Sequence, residues 1–116
     1  MTRGFSLISI AAALALVSTA SMASGDPAAG AKKVATCVSC HGKDGNSVDP
    51  QYPRLAGQYA DYLGQALHEY KNGKRDNAIM KGFAATLSDQ DIEDISAYFH
   101  TMPTRLSGLE GHVQGD

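Results

Sequence analysis

Cys37 and Cys40 are the only cysteines in this 116-residue chain, and His41 directly follows the second. Two intervening residues place the sulfurs of Cys37 and Cys40 on one helical turn. The residue after Cys40, His41, then directs its imidazole to the same side of the helix. This spacing is the signature of c-type haem attachment. The sulfurs would bond the two vinyl groups on one porphyrin edge, and a ring nitrogen of His41 would bind the iron. The sequence therefore predicts one covalently bound haem, around which the chain must fold.

Three other uses of a Cys-x-x-Cys pair fit less well. A thioredoxin-like dithiol expects a βαβ pattern, and the sequence has no alternating or Val/Ile-rich strand. A disulfide across two residues closes too small a loop to stabilise much. A zinc site needs four well-spaced ligands, and the remaining histidines are scattered: His68, His100 and His112.

Residues 1–23 are predicted to be a secretory signal peptide. Arg3 supplies the positive start, residues 5–17 form a short apolar run, and small residues around Ala23 give a cleavage site after it. A membrane anchor is the alternative, but a spanning helix needs roughly 20 apolar residues and this run is shorter. We therefore expect export to the periplasm, and haem attachment also takes place outside the cytoplasm.

The remaining composition predicts one small domain over residues 24–103. The formal net charge is −2 and no Lys/Arg cluster is present, so neither nucleic acid nor an anionic membrane is an expected partner. Trp is absent and only three Phe occur. A small core of this kind usually needs a cofactor to complete it. Residues 104–116 have little apolar content and are predicted to be a flexible tail.

The first of three predicted helices begins at Asp26-Pro27, because Asp accepts hydrogen bonds from free amides and Pro suits the first helical position. Gly30 lies inside it, where Gly costs about 1 kcal/mol relative to Ala. It is either a tolerated weak position or a point that another helix crosses closely. The predicted apolar stripe of this helix consists of Ala28, Ala31, Val34 and Ala35.

The other two helices are predicted from apolar spacing and capping residues. The second spans roughly 58–72, and the third begins at the N-cap Ser88 and stops before the next proline. Loops are predicted over 42–57 and 73–87, the latter with a weak helical turn near Ile79. The predicted fold class is therefore all-α.

Three further stretches are distinctive: Tyr52 to Gln58, Lys74 to Met80, and Leu87 to Ile92 leading to Ala97-Tyr98-Phe99. With them, the sequence closely resembles the class I cytochromes c of the small bacterial periplasmic type, over nearly all of residues 26–103. It looks like one domain of the dihaem periplasmic cytochromes, from which it departs by having a single haem motif. The resemblance implies three main helices around a covalently bound haem, with the N- and C-terminal helices crossing at Gly30 under Tyr98 or Phe99.

Iron bound by His41 needs a second ligand on its opposite side. From the residues alone, Met80 competes with Met102, His68 and His100, and a Met in a small core is usually filler. The resemblance implies Met80, because the family's ligand Met holds the matching position shortly before the last helix. A thioether ligand favours ferrous iron and raises the reduction potential.

The resemblance also implies supporting roles around the haem. The Pro53 carbonyl would accept the second ring N–H of His41, and Asn77 would steer the sulfur ligand. Arg54 or Gln58 would reach a haem propionate, with a solvated loop arginine as the alternative. The pocket walls would include Tyr59, Tyr62 and Leu63.

Two axial ligands from the protein leave no open site at the iron, so the implied function is a carrier of single electrons, not an enzyme. Lys43 and Lys81 are predicted to flank the haem edge and dock redox protein partners. A haem subunit dedicated to one dehydrogenase or oxidase, a peroxidase-like protein and a gas sensor are the alternatives. The chain would act as a monomer or weak homodimer.

Overall fold

The computed structural model describes residues 24–106, which form helices joined by turns and loops. The helices are α1 Pro27–Ala31, α2 Ala35–His41, α3 Ala60–Asn72, α4 Ala78–Ala84 and α5 Asp89–Thr101. α1 packs on α5, α5 packs on α3, and α3 packs on α4. None of these helices has both the length and the apolar content to cross a membrane. The all-α prediction is confirmed for the described part of the chain.

The predicted first helix is divided into α1 and α2. The N–H groups of Lys32 and Lys33 donate to carbonyls three residues back, which tightens the turn before the helix resumes at Ala35. This break changes which side chains face inward. Of the predicted apolar stripe, Val34 is buried. The other three members are exposed: Ala28, Ala31 and Ala35. The prediction that they face the core is therefore wrong.

α1 and α5 cross at Gly30. A Cβ atom on Gly30 would overlap the carbonyl of Asp94 and would lie 2.8 Å from the Cβ of Tyr98. The two backbones are closer than any side chain would allow, so the predicted crossing is confirmed, with Tyr98 against the glycine. Beside it the buried Asp94 carboxylate accepts three hydrogen bonds of 2.8 Å, from the Asp26 N–H, the Lys33 ammonium and the Gln90 amide.

Capping side chains set the starts of α4 and α5. The weak turn predicted near Ile79 is instead a full seven-residue helix, because the Asn77 Oδ1 accepts the N–H of Met80 at 3.0 Å and caps it. The Asn77 side chain therefore contacts the backbone N–H of Met80. At α5, Ser88 and Asp91 form a reciprocal capping box, in which each side chain accepts the N–H of the other residue.

A small core lies where α3 and α5 meet the start of α2. Its buried residues are Val34, Leu63, Ile95 and Phe99. Cys37 and Leu67 pack against this cluster but are only partly buried. The core therefore continues into a cavity instead of closing.

The chain after α5 is tied to the loop that follows α2. The N–H of Arg105 donates to the Asn46 Oδ1 at 2.8 Å, and its guanidinium pairs with Asp44 at 2.7 Å. The buried Asn46 amide also donates to the Pro103 carbonyl at 3.0 Å. Hydrogen-bonded structure thus extends into residues 104–106 of the predicted tail. The predicted signal peptide and the rest of the tail lie outside the described residues.

Candidate haem site

A cavity of about 580 Å³ lies among α2, α3, α4 and α5. This volume is within the range of small-molecule sites. All eight predicted site residues line it: Cys37, Cys40, His41, Pro53, Arg54, Gln58, Asn77 and Met80. They come from α2, from the loop after it, and from the start of α4, so their convergence is a property of the fold.

The cysteine motif forms the α2 side of the cavity. Both cysteines are half-buried and are not joined to each other by a disulfide, and burial raises the pKa of the Cys37 thiol. His41 is 6% exposed, and its Nδ1 lies 2.8 Å from the Pro53 carbonyl. Because a carbonyl only accepts, Nδ1 carries a proton, and in the neutral ring Nε2 then keeps its lone pair. His41 is therefore held in the tautomer that a metal ligand needs.

Met80 is half-buried and reaches the cavity from α4. The three competing side chains do not line the cavity. Met102 packs against the core cluster, the His100 ring hydrogen-bonds with the Gln58 carbonyl at 2.8 Å, and His68 is a partly exposed surface residue. Of the four candidates, only Met80 shares the cavity with the cysteine motif.

Arg54 and Gln58 each make a hydrogen bond while lining the cavity. The Arg54 Nε donates to the Ser47 carbonyl at 3.1 Å. The Gln58 Oε1 accepts the N–H of Tyr59 at 2.9 Å. Each side chain keeps further N–H donors outside these contacts, which suits it to bind an anionic group.

Some cavity residues were not predicted from the sequence. The Tyr52 ring meets the His41 ring edge-on, with centroids 6.3 Å apart. Ser96 is fully buried, and its Oγ has no hydrogen-bond partner within the described chain. Tyr52 could have been found from its place beside Pro53, whereas a Ser on the buried face of an amphipathic helix carries no such signal. Of the predicted wall residues, Tyr62 and Leu63 line the cavity, and Tyr59 does not.

The donor set of the cavity fits a c-type haem. Two free thiols one turn apart, an imidazole with an unprotonated Nε2 and a thioether are the groups that hold such a haem. Within residues 24–106, no three His, Cys, Asp or Glu side chains converge as an alternative metal site. Apolar side chains complete the walls, among them Leu55, Ala66, Leu67, Ile95 and Phe99.

The fold and this cavity together define a small all-α domain whose cavity residues fit a covalently attached haem. The chain belongs to the cytochrome c family, whose family model matches residues 27–103. It is 50% identical to cytochrome c4 of Pseudomonas aeruginosa over 93 residues, which covers 80% of this chain and 46% of that protein. It is 49% identical over 78 residues to cytochrome c-554(548) of Halomonas halodenitrificans, covering 65% of this chain and 94% of the relative.

Comparison with solved structures supports the same family. The crystal structure of reduced recombinant cytochrome c4 from Pseudomonas stutzeri matches with a TM-score of 0.65 and 45% identity, over 68% of this chain and 46% of that one. The chain thus spans about half the length of the cytochrome c4 relatives and matches nearly the whole of cytochrome c-554(548). The predicted class I cytochrome c fold and the resemblance to one domain of the dihaem type are confirmed.

Proposed function

We propose that this chain is a periplasmic electron carrier with one covalently bound haem, whose iron is held by His41 and Met80. One observation carries the proposal: an imidazole from α2 and a thioether from α4 line the same cavity as two thiols. Two protein ligands would fill both axial positions and leave no place at the iron for oxygen, peroxide or a substrate. When bound, the haem supplies a one-electron Fe(III)/Fe(II) couple.

Each of the residues proposed to bind the haem has a separate role in attaching it or setting its reduction potential. Cys37 and Cys40 would form the thioether bonds. The Pro53 carbonyl fixes the orientation of the His41 ring and increases its basicity towards iron. The Met80 sulfur would favour the ferrous state and raise the reduction potential.

The surrounding residues isolate the site and present it to partners. With the haem in place, the apolar walls would exclude water, so little solvent would have to reorganise when an electron moves. Arg54 and Gln58 would donate to the haem propionates. Lys43 and Lys81 are exposed and would form a positive docking rim for redox protein partners.

The haem count and the location rest on the sequence. Two cysteines supply one attachment motif, so a single haem is proposed for this chain. The predicted signal peptide over residues 1–23 supports the periplasm. No nucleic acid is proposed as a partner, and no catalytic residue is assigned.

Absorption spectroscopy of the oxidised holoprotein tests the ligand assignment. Wild type is expected to show the weak near-infrared band of a Met sulfur bound to ferric haem. Met80→Ala is expected to lose this band because it removes the sulfur from the cavity. Met102→Ala, the matched control, is expected to keep it because Met102 packs in the core.

Two results would count against the proposal. Loss of the band in Met102→Ala with retention in Met80→Ala would show that the wrong methionine has been assigned. A wild-type protein that carries haem but shows no band would refute His/Met ligation itself.

A further inference from the structure

Arg75 lies in the connection between α3 and α4 and lines the haem cavity. Its guanidinium carbon is 5.9 Å from the ring centroid of Tyr62 and 5.4 Å from that of Tyr70, which are cation–π distances. Its Nη2 donates to the Tyr62 hydroxyl at 3.3 Å, and its Nε pairs with Glu69 at 3.5 Å. One side chain thus contacts three side chains of α3.

The backbone folds back onto α3 at the same place. Gly73 ends α3 with φ of 82°, a left-handed conformation that glycine adopts readily. The N–H of Arg75 then donates to the Glu69 carbonyl at 3.1 Å. Asn77 follows two residues later and caps α4 through the N–H of Met80. A short, hydrogen-bonded connection therefore links the Arg75 contacts to Met80.

The apolar side chains of α4 face mainly the haem cavity. Ala84 is buried, whereas Ile79 and Phe83, which are 60% and 42% exposed, line the cavity and would contact a haem there. The contacts of the preceding connection are made within the chain itself, so they hold the start of α4 against α3 independently of that group.

We propose that Arg75 is a positioning residue for Met80: its guanidinium, held against Tyr62 and Tyr70, keeps the start of α4 on α3 and the Met80 sulfur in the cavity wall. The inference rests on the proposed function, in which Met80 binds the iron. Arginine suits this role because its planar guanidinium can lie on aromatic rings while its N–H groups donate to Glu69. The compact ammonium of a lysine cannot make all these contacts at once.

Imidazole binding to the oxidised holoprotein tests the inference, because added imidazole takes the place of Met80 on the iron. Arg75→Ala is expected to bind imidazole about tenfold more tightly than wild type, since losing two cation–π contacts favours displacement by roughly that factor. Lys74→Ala removes a charge from the exposed neighbouring residue and is expected to match wild type. Arg75→Lys keeps the charge but not the planar group. It is therefore expected to show most of the increase in imidazole affinity that Arg75→Ala shows.

Thermal melts separate positioning from general stability. In Arg75→Ala the near-infrared band is expected to disappear at a lower temperature than in wild type, and the midpoint of helical circular dichroism is expected to fall by less than that of the band. Equal shifts of the band midpoint and the helical midpoint would overturn the inference. An imidazole affinity equal to that of wild type, in either Arg75→Ala or Arg75→Lys, would also overturn it. A wild type without the band would overturn His/Met ligation, and the inference with it.

Discussion

Individual hydrogen bonds decide the ionisation and tautomeric states of side chains in this domain. The Pro53 carbonyl keeps the proton of His41 on Nδ1 and leaves Nε2 as the donor atom. At the helix crossing, the Lys33 ammonium, helped by the Asp26 N–H and the Gln90 amide, lowers the pKa of Asp94 to about 2 from its ordinary value of 3.8. Asp94 therefore stays ionised while it is buried between two helices.

Asp94 is expected to make the fold sensitive to acid. Because its pKa is lower in the folded chain, the ionised carboxylate stabilises the fold above pH 3.8, and this contribution is lost as the pH falls towards about 2. Asp94→Asn is expected to be less stable than wild type at neutral pH and to lose less stability across that window. Other carboxylates contribute to the pH dependence that remains: Lys33 also lowers the pKa of Asp91, and the hydrogen bond from the Asn46 N–H lowers the pKa of Asp44.

Thermal midpoints of helical circular dichroism over a pH series measure this effect. Asp76→Asn, at an exposed position, is the matched control and is expected to follow wild type. If the Asp94→Asn curve runs parallel to wild type through the acid window, the assigned role of Asp94 is wrong.

Among the elements, the contact between α1 and α5 depends on the missing side chain of Gly30. The Asp94 carbonyl and the Tyr98 side chain occupy the space that a Cβ would need. The backbone of α5 is one of the obstructing groups, so a rotamer change cannot relieve the clash. Any larger residue must push the two helices apart.

Gly30→Ala is therefore expected to destabilise the holoprotein by about 1–3 kcal/mol, as overpacking does in a close-packed interior. Gly82 in α4 is the matched control, because nothing lies within 4 Å of its Cβ position. Gly82→Ala is expected to stabilise by up to about 1 kcal/mol through helix propensity. Denaturant unfolding measures both, and a neutral Gly30→Ala would contradict the crossing geometry.

Features with a local cause could be predicted from the sequence, and features set by tertiary contact could not. The spacing of Cys37, Cys40 and His41 and the start of α5 depend on neighbouring residues within one turn. Which side chains of α1 face inward, and the hydrogen bond between Arg105 and Asn46, depend on how distant parts of the chain meet. The contact of Arg75 with two rings of α3 has no sequence signature for the same reason.

The molecule as a whole has a small core that opens into its functional cavity. The four core residues continue directly into the apolar walls, so a haem in this cavity would complete the core as well as carry the electron. Its ligands would come from α2 and α4, which pack on different parts of the chain. The positions of both ligands therefore depend on contacts throughout the fold.

Carbon monoxide binding to the reduced holoprotein tests the central claim most directly, because it asks whether the chain's own residues fill both axial positions. Wild type is expected not to bind carbon monoxide on mixing at neutral pH, whereas Met80→Ala is expected to bind it readily. Absorption spectra of the haem record the outcome. Ready binding by wild type would contradict the closed electron-carrier site and indicate an open-site haem protein.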